Sequence, residues 1–152
     1  MEYVITTEVI EEQTAATVTA EQLPIPEIGR FIGEAFGLVM AALQQQHVAP
    51  AGPPFARYTM HDKTFDVTAG FPVAQPTTSV GRVHATSLPA CTVATTMHIG
   101  AYGDVSTAYA AIMAWLPQHG FRAAGDPWEV YLDGPEVAQP RTIVRVPCTK
   151  VG

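Results

Sequence analysis

Two stretches decide how this chain folds: HVAPAGPPFARY at His47 to Tyr58, and HGFRAAGDPWEVY at His119 to Tyr131. Laid over each other with one extra residue in the later stretch, they match His47 with His119, Gly52 with Gly125, Pro54 with Pro127, Phe55 with Trp128 and Tyr58 with Tyr131. Five matches in one order imply an internal repeat, and what flanks the two stretches agrees. Each follows a segment of helical period. In the first, Ile28, Phe31, Ile32, Phe36, Val39, Met40 and Leu43 recur at helical spacing between Pro26 and about Gln46. In the second, Val105, Tyr109, Ile112, Met113 and Leu116 recur between about Asp104, read as the N-cap, and Gln118, with Gly120 as the stop. Pro117 should distort the final turn.

Segments rich in β-branched residues surround these helices. Strands are expected near Tyr3 to Ile10, Gln13 to Ala20, Phe55 to His61, Thr64 to Val73, Ser79 to Leu88 and Cys91 to His98, with WEVY at Trp128 to Tyr131 and a closing strand ending in RVP at Arg145 to Pro147. The fold class follows: α+β, a duplicated β-α-β-β unit with a pseudo-twofold, an antiparallel sheet, and two long helices framing a central groove. Residues 1–152 are read as one domain of two repeats, about 1–75 and 79–150, joined by the linker Ala74 to Thr78. The first helix also carries Gly29, Gly33 and Gly37 at every fourth position, each costing nearly 1 kcal/mol of helix stability relative to alanine. Such a stripe implies a close approach, by the backbone of a neighbouring element or by a ligand.

Composition excludes several function classes. The chain has 152 residues, 47% of them apolar and 14% charged, so it buries a core unaided. Its net charge is −6, with two lysines and six scattered arginines, and no basic stripe exists to follow a phosphate backbone, so direct nucleic-acid binding is not expected. Cys91 and Cys148 lack CxxC spacing, and the five histidines show no paired arrangement, so free thiols, no metal and no cofactor are expected. MEYVITTEVIEE has neither a basic region nor an apolar core, and no apolar run nears about 18 residues, so no membrane association is expected and the cytoplasm is the expected compartment.

Seven of the nine glutamates lie within the first 34 residues, which makes the late Glu129 conspicuous. It stands inside an aromatic strand, where the first repeat has Ala56. Alternation puts Glu129 and Tyr131 on one face and Trp128, Val130 and Leu132 on the other. Such a carboxylate points outward on a solvated face, or, if it faces inward among aromatics, takes up a proton, finds a partner such as Arg141 or Arg145, or receives a cation whose rings lie on tyrosine faces. The other lining residues expected for such a pocket are Tyr58, Phe36 and Met40.

LPACTVATTMHIGAYGDV at Leu88 to Val105, Trp115-Leu116 within the second helix, GDPWEVYLDGP and the closing RVP together resemble the GyrI-like small-molecule-binding family, which also supplies effector-binding domains to MerR- and AraC-type multidrug-responsive regulators. The resemblance implies a central pocket for lipophilic, often cationic compounds, with Glu129 as its charge partner and Tyr131 beside it. It also implies that Gly100 and Tyr102 form the turn beside the pocket. The chain opens on its first strand, so the helix-turn-helix of the regulators is missing and a complete one-component transcription factor is not expected.

Three functions compete. The first is stand-alone binding of cationic lipophilic molecules for drug or toxin sensing or sequestration, as monomer or dimer. The second is hydrolysis of cyclopropanoid or similar electrophilic genotoxins, with Glu129 as general base and Tyr131 polarising the substrate; no GxSxG context supports ordinary esterase chemistry. The third is a protein-binding role like that of gyrase-inhibiting relatives.

Overall fold

In the computed structural model, described for residues 2–134 and 136–151, nine strands and two helices are found among the described residues. The fold is α+β, and every strand pairing within the two compact units is antiparallel. The units are Glu12–Pro89, and Met1–Glu11 together with Ala90–Gly152.

Unit Glu12–Pro89 contains β2 (Gln13–Pro24), α1 (Ile25–Gln45), β3 (Phe55–Met60), β4 (Thr64–Pro72) and β5 (His84–Leu88), paired in the order β3-β4-β2-β5. Pro24 enters α1 at φ −64, a value its ring imposes, and Pro26 sits in the first turn where its missing N–H costs nothing. Phe31, Ala35, Val39, Ala42 and Leu43 form the buried stripe of α1, and the Phe36 ring meets Phe71 of β4 at 5.7 Å. Along β2, Ala15, Ala16, Thr17 and Val18 are all buried, which small side chains permit. Gly70 makes the tightest fit: a Cβ there would lie 2.0 Å from the Ala16 carbonyl oxygen, so β2 and β4 can approach only with glycine at this position.

The glycine stripe of α1 corrects an expectation. Gly29, Gly33 and Gly37 are exposed, and a Cβ on any of them would meet nothing within 4 Å. Among the described residues no backbone element closes on the stripe, so their helix cost of about 1 kcal/mol each is not recovered by packing there.

The other unit starts with β1 (Thr6–Ile10), then has β6 (Cys91–Ile99), α2 (Ser106–Gln118), β7 (Phe121–Ala123), β8 (Trp128–Tyr131) and β9 (Arg141–Lys150). Its pairing order is β1-β6-β9-β8, with β7 on the far end of β9. Ala108, Ile112 and Leu116 of α2 pack on Ala94, Val144, Val146 and Cys148 of the sheet, with Tyr3, Ile5, Tyr109 and Phe121 around them. Both units thus run strand, helix, hairpin, with an extra strand at the outer edge. The overlaid positions are buried in both: Phe55 and Trp128 are 2% and 0% exposed, Ala56 and Glu129 0% and 7%.

Three local expectations need correction. Asp104 is not the N-cap of α2; it closes a 3-10 turn, Tyr102–Asp104, and Val105 takes the cap position in helical conformation. Its carbonyl, not its carboxylate, is used, accepting the Thr107 hydroxyl at 2.8 Å. Two strands are shorter than their composition suggested, because Tyr3 to Ile5 precede β1 and a tight turn, Val80 paired with Val83, occupies the start of the segment read as Ser79 to Leu88, whereas β2 runs past Ala20 to Pro24. Phe121–Ala123 is a strand within the stretch His119 to Tyr131, where none was expected. Gly120 ends α2 as expected, at φ +78, which only glycine adopts cheaply.

Candidate functional site

The site is built on β8. WEVY has the aromatic and β-branched character of a strand, and pairing with β9 sets Glu129 opposite Val144 and Tyr131 opposite Thr142. Val144 belongs to the core beneath α2, so the face that carries Glu129 is the one α2 covers. Burial there leaves the carboxylate 7% exposed, and the fold answers with hydroxyls. Tyr109 of α2 donates to Oε2 at 2.8 Å, and Tyr131, two residues along the same strand, donates to Oε1 at 2.9 Å. Each oxygen therefore accepts one phenol.

Burial is the largest influence on Glu129 and raises its carboxyl above the ordinary glutamate value; the hydrogen bonds from Tyr109 and Tyr131, then the nearby His98 ring, favour the charged form and only partly offset it. Ion pairs among the described residues include His61 with Asp66, Arg82 with Glu34 and Arg141 with Asp133, none of them to Glu129. That removes one reading of the sequence: Arg141 serves Asp133, through Nε at 2.8 Å and Nη2 at 3.1 Å. Arg145 stands opposite Trp128 in the ladder, on the other face from Glu129.

Around the carboxylate, Tyr102 sets its ring edge-on to Tyr131 at 5.7 Å and donates its hydroxyl to the Asp133 carbonyl, which ties the 3-10 turn to the end of β8. Burial raises the Tyr102 hydroxyl, with the charges of Glu136 and Asp133 adding to it. Gly100, at φ +134, makes the preceding corner, and its N–H donates to the Pro140 carbonyl at 3.0 Å. His98, 2% exposed, sits in the same cross-strand row as Thr142 and Tyr131. Its Nε2 donates to the Ala101 carbonyl at 3.0 Å, and its Nδ1 meets the Tyr3 hydroxyl at 2.8 Å.

Of the residues singled out in the sequence, Glu129, Tyr131 and Tyr102 come together here. Phe36, Met40 and Tyr58 lie in unit Glu12–Pro89 and are half-buried there, Tyr58 with its ring edge against Phe65 at 6.1 Å. Tyr109, His98 and Tyr3 were not expected at the site. Tyr109 has the helical spacing of a packing residue, and its hydroxyl at the rim of that stripe was the only signal available. No group of three or more potential metal ligands occurs among the described residues, and Cys91 and Cys148 are not joined in a disulfide.

Such an arrangement can do two things chemically. An ionised Glu129 offers a negative charge in a low-dielectric, ring-lined setting, where it attracts cations strongly. A carboxyl raised toward neutrality can also exchange protons as a general base or acid.

Comparison with known proteins adds the lineage. A family model for the GyrI-like small molecule binding domain matches residues 1–147. A search of curated proteins finds no match. Among solved structures, the crystal structure of the EcmrR C-terminal domain aligns with a TM-score of 0.86 at 21% identity, covering 99% of this chain and 100% of that one. The chain spans 58% of the longer EcmrR chain seen in a complex with DNA, with a TM-score of 0.84. A hydrolase from Listeria innocua aligns at 0.67 and 14% identity over 95% of this chain and 91% of its own. SAV2435 bound to tetraphenylphosphonium aligns at 0.63 and 12% identity, over 98% of this chain and 94% of its own. At these identities the likeness shows the fold. No helix among the described residues is long and apolar enough to cross a membrane.

Proposed function

The chain belongs to the GyrI-like small molecule binding domain family, and from that premise we propose that it binds lipophilic cations, with the Glu129 carboxylate as the charge partner and Tyr131, Tyr109 and Tyr102 as ring surfaces around it. The observation that carries this reading is a carboxylate 7% exposed with no cationic side chain paired to it among the described residues, held by two phenol hydroxyls. A buried charge without a counter-charge is costly, and a lipophilic cation relieves that cost while placing its rings on tyrosine faces, each such contact giving roughly 0.5 to 2 kcal/mol. A relative of the same fold has been solved with tetraphenylphosphonium, a cation of that kind. Phe36, Met40 and Tyr58, half-buried in unit Glu12–Pro89, are proposed as ligand-binding residues on the family resemblance. The common strand, helix and hairpin order of the two units supports reading the chain as a duplication. The biological role that fits is sensing or sequestering toxic cations.

The test is a thermal-shift screen with tetraphenylphosphonium, an uncharged aromatic of like size and an aromatic anion. Only the cation should raise Tm, by an amount that grows with its concentration as RT ln(1 + [L]/Kd) requires. An equal shift from all three would remove charge from the account.

Hydrolysis is the second reading, favoured by the raised Glu129 carboxyl beside two phenols and by a hydrolase among the relatives of this fold. In it, Glu129 takes a proton from water while Tyr131 or Tyr109 polarises a strained electrophile. Incubation with an activated cyclopropanoid distinguishes the two: a water adduct supports catalysis, and full recovery of the compound supports binding alone.

A further inference from the structure

Hydrogen bonds run in one chain from the first turn of α2 through the N-terminal segment to the end of β6. Thr107 donates its hydroxyl to the Asp104 carbonyl at 2.8 Å; the Tyr3 hydroxyl lies 2.6 Å from Thr107 Oγ1 and 2.8 Å from His98 Nδ1; His98 Nε2 lies 3.0 Å from the Ala101 carbonyl. Both ends of this chain are carbonyl oxygens, which can only accept. That fixes the direction of every bond between them. Thr107 gives its one proton to Asp104, so Tyr3 must donate to Thr107. Tyr3 then has only lone pairs left for His98, so Nδ1 must donate to Tyr3. Nε2 must donate to Ala101. The four bonds need four protons, and with a neutral imidazole the three side chains hold three between them.

We infer that His98 is a positioning residue of the Glu129 site that carries a proton on both ring nitrogens, so that a buried imidazolium, and not a neutral imidazole, stands beside the carboxylate. The ring is 2% exposed, and a charge buried that deeply needs an opposite charge nearby as well as hydrogen bonds. Its surroundings supply one. Tyr3 faces it from the segment before β1, and Thr142 of β9 and Tyr131 of β8 continue its cross-strand row. Arg141, next to Thr142, turns to the other face, where Asp133 holds it. From α2 comes Tyr109, which like Tyr131 ends on Glu129, the carboxylate of this covered face. The ring's charge favours the ionised form of that carboxyl. Because both ring protons are committed to Tyr3 and Ala101, His98 takes neither Glu129 oxygen. It acts through its field alone, opposing the effect of burial on Glu129 and leaving both oxygens to the two phenols and to whatever enters the site. The inference rests on reading Glu129 as the charged group of the site, and it names what keeps that group charged.

Nitrogen NMR of the imidazole rings in the full chain, with no ligand added, reads the proton count directly. At about pH 7.5, where an ordinary histidine is about nine-tenths neutral, both His98 nitrogens should be protonated. Thr107→Val, at an exposed position in the first turn of α2, removes the need for the fourth proton: Tyr3 is released to donate to Nδ1, and a neutral ring then satisfies both of its bonds. That variant should lose the Nδ1 proton and shift the Glu129 carboxyl titration, followed by carbon NMR, to higher pH. Thr107→Ser keeps the chain of bonds and should behave as the wild type does. A bare nitrogen in the wild-type ring at that pH overturns the inference, as does a Thr107→Val ring that keeps both protons. An unmoved Glu129 titration in a variant whose ring has lost its proton removes His98 from the site. Since no ligand is present, any of these failures leaves cation binding at Glu129 to its own thermal-shift screen, and a failed screen leaves the ring protons as measured.

Discussion

Glu129→Gln should weaken tetraphenylphosphonium binding by about thirtyfold or more while leaving an uncharged aromatic of the same size within about twofold. The first figure corresponds to the lower end of the roughly 2 to 5 kcal/mol lost when one partner of a buried charge pair is removed. Glutamine is the right substitution because it keeps the length and planarity of the side chain and can still accept one phenol at its oxygen. Its amide nitrogen donates where a carboxylate oxygen accepted, so one of the Tyr109 and Tyr131 hydroxyls must turn from donor to acceptor and a modest change in the ring arrangement is expected alongside the loss of charge. That change affects charged and uncharged ligands alike; the charge affects only the first. Calorimetric titration of both ligands against both proteins separates the two effects. An equal loss for the two ligands would make Glu129 a scaffold residue.

Trp128→Ala should be the most damaging substitution in β8. Trp128 is 0% exposed and is the largest of the fully buried side chains, so its removal costs about 3 to 5 kcal/mol through lost burial and the cavity left behind. In a chain of this size that lowers Tm by roughly 6 to 20 °C. Trp128→Phe should be far milder. The indole Nε1 has no hydrogen-bond partner among the described residues, so phenylalanine gives up volume and no polar contact. Thermal unfolding of the two variants checks both expectations; a phenylalanine variant as unstable as the alanine one would mean that the indole N–H matters.

These two neighbours on one strand show how far the sequence could be read. The alternation of WEVY was legible, and with it the shared face of Glu129 and Tyr131, because period-2 patterning needs only local residues. Overlaying the two similar stretches also marked Glu129, since Ala56 at the matching position is buried and uncharged. The partner of Glu129 was not legible. Tyr109 lies 20 positions away on an element of different period, and helical spacing places it on a stripe without saying that its hydroxyl reaches over the edge. His98 was hidden likewise, since the cross-strand row that sets it beside Thr142 depends on a register fixed by long-range pairing. The 3-10 turn that displaced Asp104 from the cap position is a single extra turn that no composition signal announces. The open glycine stripe of α1 was misjudged for another reason: spacing reveals that side chains are absent, not what stands opposite them.

Proton linkage gives the most direct examination of the buried carboxylate. Burial raises Glu129 above the ordinary glutamate value, so the folded protein holds this proton more tightly than the unfolded chain does. The sign follows: stability contributed by the protonated form is present at low pH and is lost as pH rises from the ordinary carboxylate value through the raised one. Cation affinity runs the opposite way, because only the ionised form attracts the ligand. The deciding measurement is tetraphenylphosphonium affinity as a function of pH on the wild-type protein and on Glu129→Gln. The wild type should bind more tightly as pH rises through the raised Glu129 value and then level off, while the variant stays weak and flat. Equal, pH-independent affinity in the two proteins would contradict a charged Glu129 at the centre of recognition.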